Sequence, residues 1–209
     1  MSHQSADLAR TPDEQTLLYA ESLARLIRAE TVSGAETSGA TKFHAFRELL
    51  KETFPALFAR AEYTEFTDGF TLCWAGREPS AKPLLFMNHH DVVEPNGHWR
   101  YEPFSGTIAE NRLWGRGVLD DKGGLWAMLQ AAEELIREGF VPPCTVWFSS
   151  ASTEESTGRG AEEIARWFEQ RACVSGCVWT RAVLSSGSRS RARRVFLPWS
   201  ASGRRAARI

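Results

Sequence analysis

Apolar residues recur along this chain at helical spacing in four segments. The first follows Thr11-Pro12-Asp13, a sequence that favours the start of a helix, and its apolar stripe is Leu17, Leu18, Leu23, Leu26 and Ile27. The same spacing predicts further helices over Thr41 to Leu57, Gly123 to Glu138 and Ala161 to Gln170. The predicted buried side of the third is Leu125, Met128, Leu129, Ala132, Leu135 and Ile136.

Strand patterns lie between the predicted helices. Glu62 to Trp74 alternates apolar and polar residues around Asp68-Gly69, which predicts a β-hairpin. Pro83 to Met87 and Cys144 to Ser150 are apolar runs of the kind found in strands buried on both faces. Because strands alternate with helices, the predicted fold class is α/β, with a sheet between two helical layers.

The charge distribution separates residues 1–170 from residues 171–209. The first part holds 16 Lys and Arg against 26 Asp and Glu, whereas the second holds nine Arg and no Lys, Asp or Glu. We therefore predict one domain over 1–170 and an Arg- and Ser-rich tail over 171–209. The tail shows no clean periodicity, so its composition suits either a disordered segment or a basic nucleic-acid arm.

The sequence shows no sign of a membrane or secretory protein. It contains no run of 18 apolar residues, and the segment from Met1 to Asp13 is polar and lacks an apolar signal core. A cytoplasmic location is therefore the expectation.

The first cluster of candidate site residues is His89-His90-Asp91, directly after a strand-like run. In an extended segment His89 and Asp91 point the same way. One can then bind a metal while the other fixes its geometry, as carboxylates commonly do for ligating imidazoles. Two ordinary loop histidines remain the alternative.

Two acidic pairs complete the candidate set. Asp120-Asp121 precedes a predicted helix, where one carboxylate suits an N-cap but two suggest a ligand site. Glu154-Glu155 follows a strand, and a nearby dication would relieve the repulsion between its carboxylates. The alternative for this pair is a solvated surface. The clusters are expected beyond the carboxyl ends of strands, where open α/β sheets place their sites.

The motifs in these clusters resemble those of a family of co-catalytic zinc peptidases. The segments that carry the resemblance are His89-His90-Asp91-Val92-Val93, Trp99 with Pro103-Phe104-Ser105-Gly106, Gly115 to Gly123, and Glu154-Glu155-Ser156-Thr157-Gly158. The family includes the aminoacylases, carboxypeptidase S, acetylornithine deacetylase and succinyl-diaminopimelate desuccinylase. The Pro-Phe-Ser-Gly and Asp-Asp-Lys forms are most similar to the carboxypeptidase S branch.

The resemblance implies a role for each site residue. His89 is then a ligand of one zinc, Glu155 a ligand of the second, and Asp120 the carboxylate that bridges both. Asp91 orients His89, and Glu154 is the general base. Two zinc ions are implied as cofactors, with cobalt or manganese as substitutes. The implied substrate is a small peptide or an N-acyl amino acid.

The chain departs from the family beyond Glu169. The family uses a further acidic ligand about two dozen residues after the glutamate pair and a histidine near the end of a longer chain, but no Asp or Glu follows Glu169 and no His follows His98. The family's lid and dimerisation domain, on which its frequent homodimers depend, is also missing from the pattern. The expectation is an N-terminal fragment of the catalytic domain that is inactive as written.

A reading-frame change between about residues 170 and 178 would explain the tail. Trp is encoded by TGG and every Thr codon begins with AC, so one of the two shifted frames across Trp179-Thr180 must read GAC, which encodes Asp. That Asp lies 24 residues beyond Glu155, where the family's acidic ligand is expected. The rival hypothesis is a non-catalytic, degenerate zinc-site domain whose basic tail binds an anionic partner without nucleic-acid specificity.

Overall fold

The computed structural model describes residues 12–34, 40–171 and 177–180 of the chain. Its helices are α1 (Glu14–Arg28), α2 (Thr41–Thr53), α3 (Pro55–Arg60), α4 (Lys122–Arg137) and α5 (Arg159–Gln170). Its strands are β1 (Glu62–Phe66), β2 (Gly69–Trp74), β3 (Leu84–His89), β4 (Thr107–Ala109), β5 (Arg112–Trp114), β6 (Val146–Ala151) and β7 (Cys177–Thr180).

The main sheet has the strand order β1-β2-β6-β3-β7 within the described residues. It is mixed: β1, β2 and β6 pair antiparallel, whereas β3 runs parallel to both β6 and β7. The predicted hairpin over Glu62 to Trp74 is confirmed as β1 and β2. The small β4–β5 hairpin, which forms a separate sheet, has no counterpart in the predicted elements.

The sheet lies between two helical layers, as predicted for a three-layer α/β domain. Phe70, Leu72 and Phe148 face the layer of α1 to α4 and belong to the main hydrophobic core. The opposite face of the sheet packs on α5, where the Trp167 ring lies 5.7 Å from Phe66 and 5.6 Å from Trp147. Alternate strand residues thus bury apolar surface on both sides.

The structure divides one predicted helix into two separate helices, α2 and α3. The pattern over Thr41 to Leu57 suggested a continuous helix, but α2 ends at Thr53 and α3 begins at Pro55. Proline has no N–H to donate and disfavours helical geometry in the residue before it, and Phe54 accordingly has φ −123° and ψ 58°. The apolar spacing continues across this break because both helices face the same core.

Some predicted burial is wrong. Leu17 and Leu18 are 46% and 59% exposed, because α1 meets α4 through Tyr19, which turns these leucines outward. Leu135 of α4 is also exposed, whereas Leu125 and Leu129 are buried as predicted. Strand β3 is buried less completely than predicted: Leu85 is buried, whereas Leu84, Phe86 and Met87 are only half-buried.

The tail contains one described element. β7 pairs in parallel with β3 and forms an edge of the main sheet. Within the predicted tail, residues 177–180 thus form a strand. The prediction for 172–176 and 181–209 lies outside the described residues.

Candidate metal centre

Three predicted ligands meet beyond the carboxyl ends of the neighbouring parallel strands β3 and β6. His89 is the last residue of β3, and Glu155 lies in the turn after the neighbouring parallel strand β6. Asp120 comes from the loop before α4 rather than from the end of a main-sheet strand, which corrects the expectation that every cluster follows a strand. One ligand atom from each of the three residues lies within 4.8 Å of the other two.

The orientation of His89 suits a metal ligand. Its Nδ1 lies 3.0 Å from the backbone oxygen of Asp91 and 3.4 Å from Oδ1 of the same residue. An Nδ1–H donated to that carbonyl leaves Nε2 to face Oδ1 of Asp120 at 3.0 Å. Burial lowers the pKa of His89, but Asp91, Asp120 and Glu154 raise it more strongly, to about 10.

Asp91 joins the two strand ends. It is fully buried, and its carboxylate accepts the backbone N–H of Glu154 at 3.2 Å and that of Glu155 at 2.9 Å. The Ser33 hydroxyl donates to the same carboxylate at 2.6 Å. Burial raises the pKa of Asp91, but hydrogen bonds from His89, Ser33 and the Glu155 amide lower it below the ordinary value. The carboxylate is therefore ionised and holds both the imidazole and the glutamate pair.

The two glutamates occupy different environments. Burial raises the pKa of Glu155; His89 opposes this, while Asp120, Glu154 and Asp91 add to it. A cation among these carboxylates would relieve that repulsion. The side chain of Glu154 is 57% exposed, and its Oε2 lies 4.0 Å from Nε2 of His89. Glu154 thus lies beside the ligand group without belonging to it.

His90 is a core residue rather than a loop histidine. Its ring is fully buried and stacks on Phe46 with 5.4 Å between centroids and 8° between planes. Nδ1 lies 2.8 Å from the Ser150 hydroxyl. Burial, followed by the positive charge of Arg47, lowers its pKa to about 3. The alternation that directs His89 and Asp91 to one side could have placed His90 on the other.

The residues around Asp120 are also buried. Asp121 takes the N-cap position of α4, as one alternative predicted, but its side chain makes no capping bond and accepts a hydrogen bond from Nδ2 of Asn88 at 2.7 Å. The Lys122 ammonium is fully buried and donates to the backbone oxygens of Leu26 and Ala29. Burial lowers the pKa of Lys122 to about 7. The roles of Asn88 and Lys122 were not predicted from the sequence, although both residues flank predicted ligands.

The donor set fits a divalent transition metal. An imidazole nitrogen and two carboxylates, with the second imidazole nitrogen hydrogen-bonded, are ligands that zinc commonly uses. The same set also accepts cobalt or manganese. The structure thus brings together all five predicted site residues, namely Asp91, Glu154, His89, Asp120 and Glu155.

A protein-family comparison identifies the wider group to which this site belongs. The model of "Peptidase family M20/M25/M40" matches residues 85–192, just over half of the chain and all of the site residues. The chain belongs to this peptidase family. The M20 peptidases are metal-dependent, in agreement with the resemblance noted for the sequence motifs.

Curated relatives place the chain near carboxypeptidase S. It is 34% identical over 158 residues to "Probable carboxypeptidase S-like 2" of Dictyostelium discoideum, covering 72% of this chain and 30% of that protein. It is 34% identical over 165 residues to the human "N-fatty-acyl-amino acid synthase/hydrolase PM20D1", and the match covers 76% of this chain and 32% of that protein. It is also 34% identical to carboxypeptidase S of Saccharomyces cerevisiae, covering 62% and 24%. The chain therefore spans a third or less of each of these relatives.

Two solved structures share the fold of the described residues. Human carnosine dipeptidase 1 superposes with a TM-score of 0.62 at 18% identity, covering 78% of this chain and 38% of that protein. The M20 metallo-carboxypeptidase Sso-CP2 of Sulfolobus solfataricus gives a TM-score of 0.59 at 24% identity, covering 82% and 38%. The described residues thus share the fold of part of each of these proteins. None of the helices in the described residues is long and apolar enough to cross a membrane.

Proposed function

We propose that this protein provides part of a zinc-dependent hydrolase that cleaves amide bonds in small peptides or N-acyl amino acids. The observation that carries the proposal is the group of His89, Asp120 and Glu155, whose ligand atoms converge within 4.8 Å beside the exposed carboxylate of Glu154. Both substrate classes appear in the names of relatives, as carboxypeptidase and as N-fatty-acyl-amino acid hydrolase. Cobalt and manganese are the expected substitutes for zinc.

His89, Asp120 and Glu155 would hold the metal. Bound there, zinc would supply Lewis-acid polarisation of the scissile carbonyl and would acidify a water molecule. Glu154 is the general base in this scheme: it lies outside the ligand group, is accessible to solvent, and can take a proton from the attacking water at its carboxylate. It would then return this proton to the leaving nitrogen. Asp91 fixes the position of the His89 ring for metal binding and that of the Glu154 backbone for proton transfer.

The test compares the 209-residue chain with a longer chain in which the reading frame is restored near residue 172 and the gene is extended. We expect the longer, zinc-loaded chain to hydrolyse a dipeptide or an N-acyl amino acid, and the shorter one to bind zinc weakly and not to hydrolyse either. Comparable activity in both would show that the described residues already contain a complete site. If a folded, zinc-loaded longer chain hydrolyses neither substrate class, the non-catalytic alternative with an anionic partner is favoured.

Two neighbouring substitutions test the division of roles in the longer chain. Glu154→Gln should abolish hydrolysis while zinc content stays unchanged, because a base is lost but no ligand is. Glu155→Gln should reduce zinc content as well. Glu94→Gln changes an exposed carboxylate close to the same loop and serves as the control. Near-normal turnover by Glu154→Gln would exclude Glu154 as the general base.

A further inference from the structure

The segment that follows α1 is paired with the loop that follows β3. Val32 and Val92 form a parallel bridge, in which Val92 N–H donates to the backbone oxygen of Thr31 and Ser33 N–H donates to that of Val92, both at 3.0 Å. The Thr31 hydroxyl adds a bond to the backbone oxygen of His90 at 2.6 Å. Residues 29–33, which we term the α1 linker, are thus fastened alongside the loop that carries Asp91.

The α1 linker also reaches the metal centre through a side chain. The Ser33 hydroxyl donates to Oδ2 of Asp91 at 2.6 Å, and the same carboxylate oxygen accepts the Glu155 amide. Because a buried carboxylate is stabilised by each donor it receives, the hydroxyl helps to fix the oxygen that positions Glu155. Ser33 is separated from Asp91 by 58 residues, so this bond depends entirely on the pairing of the linker.

Lys122 connects the other end of the α1 linker to the Asp120 loop through hydrogen bonds. Its ammonium donates to the backbone oxygens of Ala29 at 2.6 Å and Leu26 at 3.1 Å, and lies 4.9 Å from the centre of the Phe46 ring. Carbonyls at the C-terminal end of a helix carry partial negative charge and suit a cation. Its direct partners are thus backbone oxygens and a ring face, and the carboxylate of Glu30 in the same linker adds a favourable charge without a direct bond.

We propose that Lys122 and Ser33 are positioning residues of the metal centre, which act through the α1 linker. Lys122 is two residues from Asp120 and holds the start of α4 against the linker, while Ser33 holds the linker against Asp91. Together they keep Asp120 in reach of His89 and Glu155, which come from the other two ligand segments. This inference rests on the metal site of the proposed function but not on hydrolysis.

The test measures zinc affinity and amide exchange in the 209-residue chain. Lys122→Met keeps the unbranched stem and removes the ammonium, and Ser33→Ala removes only the hydroxyl. Each should weaken zinc binding in a calorimetric titration by about 3- to 10-fold, less than the roughly 10- to 100-fold seen when a group bonded directly to a ligand is lost. In the metal-free protein, the Val92 amide should exchange faster in Lys122→Met and the Glu155 amide faster in Ser33→Ala. Lys82→Met and Ser80→Ala, at exposed positions, are the matched controls.

A purely structural role would lower the free energy of unfolding but leave the zinc affinity of the folded protein unchanged. Zinc affinity within twofold of the wild type in both variants, with unchanged exchange at Val92 and Glu155, overturns the proposal. If Lys122→Met does not fold, Ser33→Ala alone tests the proposal, and a wild-type zinc affinity in Ser33→Ala overturns the proposal. Because neither readout uses a substrate, absence of hydrolysis would count against the proposed function and not against this inference.

Discussion

The carboxylate of Asp91 accepts the backbone N–H of Glu155 at 2.9 Å. The bond joins the loop after β3 to the turn after β6, and the neighbouring Glu154 amide reinforces it at 3.2 Å. Asp91 also contacts the His89 ring, so a single buried side chain holds two proposed ligands, His89 and Glu155, and the proposed base Glu154.

Replacing Asp91 should damage both metal binding and stability. Asp91→Ala would leave the partly buried amides of Glu154 and Glu155 without their acceptor, at a cost of about 1 kcal/mol for each, the lower end of the range for an unsatisfied buried group. Zinc affinity should fall by about 10- to 100-fold. Asp91→Asn retains one oxygen acceptor and should give smaller losses. Urea unfolding and zinc titration measure the two effects, with Glu94→Gln as the control. Wild-type zinc affinity in Asp91→Ala would contradict this role.

Zinc binding should release close to one proton from His89 at neutral pH. Burial opposes protonation of this ring, but the carboxylates of Asp91, Asp120 and Glu154 raise its pKa to about 10, so the metal-free imidazole is charged at pH 7. Zinc must displace that proton, and its apparent affinity should therefore rise with pH between about 6 and 8. Calorimetric titrations in buffers of different ionisation enthalpy count the protons released. An affinity that is independent of pH over this range would show that His89 is already neutral.

His90 should make the fold sensitive to acid. Its pKa is lowered to about 3 in the folded protein, first by burial and then by the charge of Arg47, whereas the unfolded chain retains an ordinary value near 6.5. Between these values the unfolded state binds the additional proton, so the free energy of unfolding decreases as pH falls below about 6.5. The slope from this group approaches about 1.4 kcal/mol per pH unit.

The variant His90→Phe isolates that contribution. It keeps an aromatic ring among Phe43, Phe46 and Phe70 but cannot take up a proton. Urea unfolding at several pH values from about 7 to about 4.5 should show a shallower loss of stability in the variant than in the wild type. Equal slopes would mean that His90 is protonated in the folded state.

Gly117 should not tolerate a side chain. Its φ is +88°, and an added Cβ would lie 2.8 Å from Cγ1 of Val92. Gly117→Ala is therefore expected to cost about 1–2 kcal/mol for the left-handed backbone and about 1–3 kcal/mol more for crowding. At Gly97 φ is +79° and an added Cβ would meet no atom within 4 Å, so Gly97→Ala isolates the backbone contribution. Equal losses of unfolding free energy in Gly117→Ala and Gly97→Ala would exclude the contact with Val92.

Local patterns predicted the elements and the ligand clusters better than they predicted contacts between distant segments. The one-residue interval between His89 and Asp91 was sufficient to place them on the same side, because it depends only on extended geometry. The break at Phe54 was readable from Pro55 but was masked by apolar spacing that continues through it. Ser33 carried no signal, since a serine in a loop is common and its partner lies 58 residues away.

The burial of Lys122 could not be predicted for a related reason. A lysine at the start of a helix is ordinarily exposed, and here its environment is set by carbonyls at the end of α1. Similarly, the exposure of Leu17 and Leu18 depends on which side of α1 meets α4. Periodicity identifies an apolar face, but only the tertiary arrangement decides how much of that face is covered.

The parallel pairing of β3 with β6 determines when the three proposed ligand segments can meet during synthesis of the chain. The two strands are neighbours in space, yet the chain between them includes β4, β5 and α4. His89 lies before this crossover, Asp120 within it and Glu155 just after β6, so no partial product of the ribosome holds all three until residue 155 has emerged. Since a parallel pair forms only when its long crossover closes, the three proposed ligands come together only once the β3–β6 pair has formed, rather than in an early folding step.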